Sequence, residues 1–233
     1  MKKVWSTVSP LRCQQEAENG NAEFIEAMVN FAEDKNPADH YRTTPLHVAA
    51  EEGNLEVFQL IFEKVKEKPD DGWTSDGLPL DYDGSTPLHD AASEGHLEIC
   101  QLIIQSVKDK NPHDMFGNTP LHDAAQNNPN ADMIRMLIDK GADIEARDKY
   151  QCTPLHEAAW HNQGMVRTLI ERGASVNLLD IEQESPLYGA AFNENREAVI
   201  ELCKAGAKPQ LGENPLDASY FDDEVKKLIK ENC

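Results

Sequence analysis

The sequence predicts an all-α array, built from helix pairs set side by side. Three observations predict it. A heptapeptide returns at a near-constant interval, an apolar helical stretch follows each copy, and a glycine or an Asn-Pro pair closes most of those stretches. Fixed-period self-similarity marks chains whose single units cannot bury an apolar face alone and must stack to do so.

The heptapeptide comes first in each unit. Thr44-Pro45-Leu46-His47-Val48-Ala49-Ala50 returns as Thr86-Pro87-Leu88-His89-Asp90-Ala91-Ala92 and as Thr119-Pro120-Leu121-His122-Asp123-Ala124-Ala125. It returns again as Thr153-Pro154-Leu155-His156-Glu157-Ala158-Ala159, more weakly as Ser185-Pro186-Leu187-Tyr188-Gly189-Ala190-Ala191, and in decayed form at Asn214-Pro215-Leu216-Asp217-Ala218-Ser219. Starts at 44, 86, 119, 153, 185 and 214 give steps of 42, 33, 34, 32 and 29. Thr or Ser is a helix N-cap, and Pro suits the first helical position, where its missing N–H costs nothing. The paired alanines keep one helix face thin, so neighbouring units can approach closely. Gly53 and Gly95 suit a left-handed C-cap.

A second helix follows. Leu97, Ile99, Cys100, Leu102, Ile103 and Ile104 in one unit, and Met133, Ile134, Met136, Leu137 and Ile138 in the next, are spaced for burial over most of a helix circumference. Gly141-Ala142, Gly173-Ala174 and Gly206-Ala207 end such helices, and Asn36-Pro37 and Asn111-Pro112 are read the same way, with Asn in the left-handed role. The long step of 42 places an insertion at 68–80, rich in Asp and Gly, which reads as a loop. Smaller length changes fall near Asn128-Pro129-Asn130 and Gln163-Gly164.

These TPLHxAA motifs resemble the ankyrin repeat, and the resemblance runs from about residue 9 to 230. It implies a solenoid of about seven helix-turn-helix units with β-turn or hairpin tips. The expected organisation is one domain over 1–233. Its parts are an N-terminal capping unit at about 9–38, clear units at 39–80, 81–113, 114–147, 148–179 and 180–208, and a C-terminal capping unit at 209–233. The resemblance also implies a non-catalytic protein-binding scaffold or adaptor working through its concave groove and turn tips. The alternative is an acidic inhibitor that masks a basic segment of a transcription factor or other regulatory protein.

Charge narrows the partners. There are 22 Lys and Arg against 42 Asp and Glu, for a net charge of −20. That disfavours direct nucleic-acid contact and anionic membrane surfaces, and it disfavours close self-packing, so a monomer is expected outside a complex. No stretch approaches the ~18 apolar residues of a membrane span, and the start lacks the apolar core of a secretory signal. Five scattered cysteines without a CxxC pair read as reduced thiols, in keeping with a cytoplasmic or nuclear setting. No nucleophile elbow, phosphate loop, dinucleotide fingerprint or HExxH motif occurs, so no enzyme and no cofactor are expected. The row His47, His89, His122 and His156 is read as structural. Units about 10 Å apart hold those rings too far from one another for Zn–N bonds of ~2.0–2.1 Å.

Counting back from each Thr-Pro gives the turn tips. They carry Tyr41, Tyr82, Met115, Phe116, Tyr150 and Ile181, where small polar residues are usual. The residues just after Ala-Ala add Glu51, Glu52, Glu94, Trp160 and Phe192. Met115, Phe116, Tyr150, Trp160, Ile181 and Phe192 are therefore expected to anchor a partner's apolar side chains. Glu51, Glu52, Asp83, Asp90, Glu94, Asp123 and Glu157 read either as a solvated acidic stripe or as a footprint for a basic partner. Asn177, with Leu169 eight residues before it, resembles an asparagine hydroxylation site, although Ser175 stands where that pattern has Asp.

Overall fold

The computed structural model describes residues 8–65, 74–127, 130–161, 163–209 and 222–233. Among them lie thirteen helices. They are α1 (Pro10–Glu18), α2 (Ala22–Phe31), α3 (Pro45–Glu51), α4 (Leu55–Val65), α5 (Pro87–Glu94), α6 (Leu97–Ser106), α7 (Pro120–Asn127), α8 (Ala131–Asp139), α9 (Pro154–His161), α10 (Gln163–Glu171), α11 (Pro186–Phe192), α12 (Arg196–Lys204) and α13 (Asp223–Asn232). Contacts gather α1–α6 into one half and α7–α13 into another, divided between Met115 and Phe116.

Each half is two-layered. In the N-terminal half α1, α3 and α5 stack in one row and α2, α4 and α6 in the other. In the C-terminal half α7, α9 and α11 form one row and α8, α10, α12 and α13 the second. The paired alanines make the first row possible. Ala49, Ala50, Ala91, Ala92, Ala124, Ala125, Ala158, Ala159, Ala190 and Ala191 are all fully buried, and at those positions each helix presents only a methyl. The second row supplies bulk. Phe58 and Phe62 stack at 5.4 Å beside Ile61 in the N-terminal half, and Met133, Ile134, Leu169 and Leu202 fill the C-terminal one.

Helix starts follow the sequence reading. Ser9, Thr44, Thr86 and Ser185 each accept an amide of the first helical turn on their hydroxyls. In the four His-bearing copies, the imidazole Nδ1 accepts the capping threonine's own amide at 3.0–3.2 Å. An accepting Nδ1 places the ring proton on Nε2. His47 Nε2 then donates to the Ser85 carbonyl, and His122 Nε2 to the Cys152 carbonyl, each at 3.2 Å in the next repeat's turn.

Turn tips are linked along each row. Tyr82 N–H donates to the Tyr41 carbonyl at 2.8 Å and Met115 N–H to Asp83 at 2.6 Å. Lys149 donates to Phe116 and Ile181 to Tyr150, both at 2.8 Å. Gly117 takes a left-handed φ of 86° there, and a Cβ on it would meet the Lys149 nitrogen at 2.9 Å.

Two expectations are corrected. Asn36 and Asn111 are absent from the described residues with positive φ, so neither acts as a left-handed cap. Buried Asn36 instead accepts the Leu46 amide on its side-chain oxygen, tying the end of one repeat to the helix start of the next. Not all five thiols are free. Cys203 and Cys233 form a disulfide, because α13 packs on α12 and sets their Cα atoms 4.6 Å apart, while Cys13, Cys100 and Cys152 remain thiols. The described end of the insertion is a loop, as expected, and it is held by contacts. Leu78 is buried, and Asp76 accepts the amides of Lys108 and Asp109 at 2.7 Å beyond α6. The remainder of that insertion, the length change near Asn128-Pro129 and the decayed copy at Asn214–Ser219 lie outside the described residues.

Gly117→Ala is expected to lower the urea midpoint more than Gly141→Ala does. Both glycines are left-handed, but a Cβ at Gly141 meets nothing within 4 Å, so the difference isolates the tip contact. The expected cost at Gly117 is about 1–3 kcal/mol, and equal losses would remove the tip contact as its cause. Burial depresses the imidazoles of His47 and His156 to about 4. Their unfolded pKa lies near 6.5, so the unfolded chain binds more protons between those values. Their contribution to stability is thus complete above about pH 6.5 and is lost as the pH falls towards 4. Titration of the imidazole resonances should show midpoints near 4, and midpoints near 6.5 would contradict this account.

Candidate functional site

Of the nine large apolar side chains that are exposed among the described residues, seven were named from the sequence: Tyr41, Tyr82, Met115, Phe116, Tyr150, Ile181 and Phe192. Six of them sit on turn tips, where the row of inter-repeat amide bonds fixes the backbone that carries them. An asparate at each turn's root sets the local geometry. Asp148 Oδ1 accepts the amides of Tyr150 and Cys152 at 2.9 and 2.7 Å, and Asp180 Oδ1 those of Glu182 and Glu184 at 2.9 Å. Asp39 and Asp81 do the same in the N-terminal half.

In that half the structure leaves Tyr41, Tyr82, Met115, Glu51, Glu52, Asp83 and Glu94 exposed and Asp90 half-buried. Burial and the neighbouring Glu52, Glu94 and Glu18 raise the Glu51 carboxyl above its usual range.

The C-terminal half draws its residues closer. Trp160 differs from the expectation of an exposed ring. It is half-buried, with its indole laid against Gly189 and its centroid 5.3 Å from Phe192. A Cβ at Gly189 would stand 2.5 Å from the indole Nε1, so the glycine in that slot of the motif is what seats the tryptophan. Phe192 also stacks on Tyr188 at 6.2 Å and keeps 53% of its surface exposed. The result is a rigid aromatic platform on α9 and α11 beside the exposed tip rings.

The carboxylates also depart from a freely solvated stripe, since Asp90, Asp123 and Glu157 are half-buried. Burial first, then the Asp148 charge, pushes Glu157 up to about 7. His161, four residues on, brings Nε2 to 3.8 Å from the Glu157 carboxylate. Two depressions flank these groups. One of about 310 Å³ is lined by Phe116, Asp123, Asp148, Tyr150, Glu157 and His161 among others. The second, of about 250 Å³, lies beside Tyr150, Glu157, Trp160, Asp180, Ile181 and Glu184. Asp148, Cys152 and Glu157 place one ligand-type atom each within 4.8 Å of one another, which makes them the group among the described residues whose composition could hold a metal ion. Asp148 already holds the turn through its Oδ1, and burial raises the Cys152 thiol far above its ordinary value.

Sequence reasoning missed Asp148, Asp180 and Gly189 as determinants of this surface, whereas His161 stands where it was expected, next to Trp160 after the paired alanines. A signal for the aspartates existed: Asp39, Asp81, Asp114, Asp148 and Asp180 each stand five residues before the Thr or Ser that opens a motif copy. The packing of Trp160 on Gly189 has no such periodic trace.

Comparison with protein families gives a direct result. The model for ankyrin repeats (3 copies) matches residues 14–114, 88–180 and 148–213. The chain belongs to the ankyrin-repeat family. No curated protein matches it significantly. Ankyrin repeats are general protein-interaction modules, and these helix pairs with their linked tips fit that use. No described helix is long and apolar enough to cross a membrane. In this ankyrin chain Asn177 bridges to the following repeat, with Nδ2 donating to the Gly206 carbonyl at 3.0 Å and Oδ1 accepting from Lys208 N–H at 2.9 Å.

Glu157→Gln should stabilise the fold at pH 8 and leave it unchanged near pH 4. The folded carboxyl binds its proton more tightly than the unfolded one, whose ordinary value is 4.5. The ionised group therefore costs stability as the pH rises from about 4.5 through 7. At ~1.36 kcal/mol per pKa unit the gain at pH 8 is about 3 kcal/mol. Urea midpoints at the two pH values would test it, and a variant less stable at pH 8 would contradict it.

Proposed function

We propose that this ankyrin chain is a non-catalytic scaffold or adaptor that binds a partner protein through its turn tips and the adjoining ends of its first-row helices. The observation that carries the reading is the gathering of exposed large apolar side chains there: six on tips and Phe192 at the end of α11. Water-exposed aromatic residues clustered on a rigid frame are the composition of interface hot spots, since their burial gains area at little cost in side-chain freedom. In the C-terminal half, Phe116, Tyr150, Trp160, Ile181 and Phe192 serve as anchors. Met115, Tyr41 and Tyr82 add apolar contacts in the N-terminal half, with Glu51, Glu52, Asp83, Asp90 and Glu94 around them. Asp123 and Glu157 set acid beside the C-terminal anchors.

A second reading is favoured by the half-buried carboxylates. An inhibitor would mask a basic segment of a transcription factor or similar regulator, and competing DNA would then strip the partner from it. An adaptor's partner would stay bound. A monomer suits either role; the cytoplasmic or nuclear setting loses its support from reduced thiols now that Cys203 and Cys233 are bridged, and Asn177 stands as a position to examine for hydroxylation.

The deciding experiment is an affinity measurement on a partner identified with the intact chain, repeated with Trp160→Ala/Phe192→Ala. Anchors of this kind contribute ~2–4 kcal/mol each, so the double variant should lose at least a hundredfold in affinity while keeping its urea midpoint within the effect of one lost aromatic contact. Unchanged affinity would refute the anchor assignment. Association should also slow as salt rises.

A further inference from the structure

The pocket of about 310 Å³ lies between two turn tips of the C-terminal half. Its size sits at the low end of the ~300–1,000 Å³ typical of ligand sites, which suits one side chain better than a cofactor. Phe116 and Tyr150 contribute aromatic rings, Asp123, Asp148 and Glu157 carboxylates, and Asn118 and Gln126 amides. No Lys or Arg is among the described residues lining it. Two imidazoles line it: His122, whose ring nitrogens are engaged by Thr119 and the Cys152 carbonyl, and His161, half exposed and 3.8 Å from Glu157. Arg147, close by in sequence, donates to the carbonyls of Gln151 and Leu179 (the latter at 2.6 Å) and is thereby turned to backbone.

The chemistry of the occupant follows. Asp148 and Glu157 hold carboxylate oxygens within 4.8 Å of each other at a partly dehydrated floor, so an entering cation is attracted by both. Aromatic faces favour a cation that sheds water easily, and guanidinium is more weakly hydrated than ammonium. Its planar fork of N–H donors also matches carboxylate and amide oxygens together.

We propose that this pocket takes an arginine side chain from the partner, its guanidinium set against Phe116 and Tyr150 and held by Glu157 and Asp148, with the Asp123 carboxylate on the same lining. The assignment deepens the binding reading above by naming what the partner must carry, and it depends on that reading only for the existence of a partner. A metal ion held by Asp148, Cys152 and Glu157 is the competing occupant, and the test separates the two.

The test is an amide-resonance titration of the full chain with acetyl-Ala-Arg-Ala-amide, its lysine analogue and its uncharged citrulline analogue, all in EDTA. Zinc chloride is titrated separately without chelator. The arginine peptide should shift Phe116, Tyr150, Glu157 and His161 and bind at least tenfold tighter than the citrulline peptide. Glu157→Gln and, independently, Asp123→Asn should erase most of that preference. Equal responses to arginine and citrulline would overturn the proposal. So would equal affinity for lysine, shifts spread evenly over Glu51, Glu52 and Glu94, or a response at the pocket to zinc alone. Arginine-selective shifts in the Trp160→Ala/Phe192→Ala variant would support the pocket whether or not that variant keeps its partner, so failure of the anchor reading and failure of the pocket are read separately.

Discussion

A neutral, buried histidine is the constraint on which the stacking depends. Nδ1 of each ring accepts the amide of the threonine that opens its helix, so the ring is fixed in the tautomer whose Nε2 carries the proton. That proton can then reach outward to the next repeat's turn, as His47 does to Ser85 and His122 to Cys152. One side chain therefore caps its own helix and ties down the neighbouring turn. His156 keeps the first bond, while its Nε2 lies near the Leu178 and Glu184 carbonyls without making a hydrogen bond. A charged ring would lose the Nδ1 acceptor, and burial is what keeps the ring neutral.

The candidate surface follows from that arrangement. Turns held by histidine at one side and by a root aspartate within have little freedom left, and their tips are joined to one another by backbone hydrogen bonds. Side chains mounted there stand in fixed positions despite belonging to loops. Rings can then remain exposed without collapsing onto the body, and association need not pay again for ordering them. The half-buried Glu157 shows the opposite strategy, since the fold holds it at a cost that a cationic group from outside would relieve.

Much of the fold was legible in the sequence, and for a physical reason. Caps, alanine faces and apolar second helices are local features, and the period of the motif repeats each one several times. The tip anchors were legible too, because large apolar residues in turns conflict with ordinary turn chemistry. Trp160 was harder. Its exposure depends on Gly189, 29 residues away in the next repeat. The disulfide was hidden for the same reason, and Asn36 looked like a helix stop until its side chain was seen to bond Leu46.

The sequence by itself determined the repeat, its helix starts, the burial of its alanines and the residues that its turns display, because each is decided within a few positions of backbone. Tertiary structure alone decided which rings pack on a neighbour, which carboxylates lose water and which cysteines meet. Those outcomes turn on distances between repeats, and no local pattern encodes how closely two side chains from separate repeats will approach.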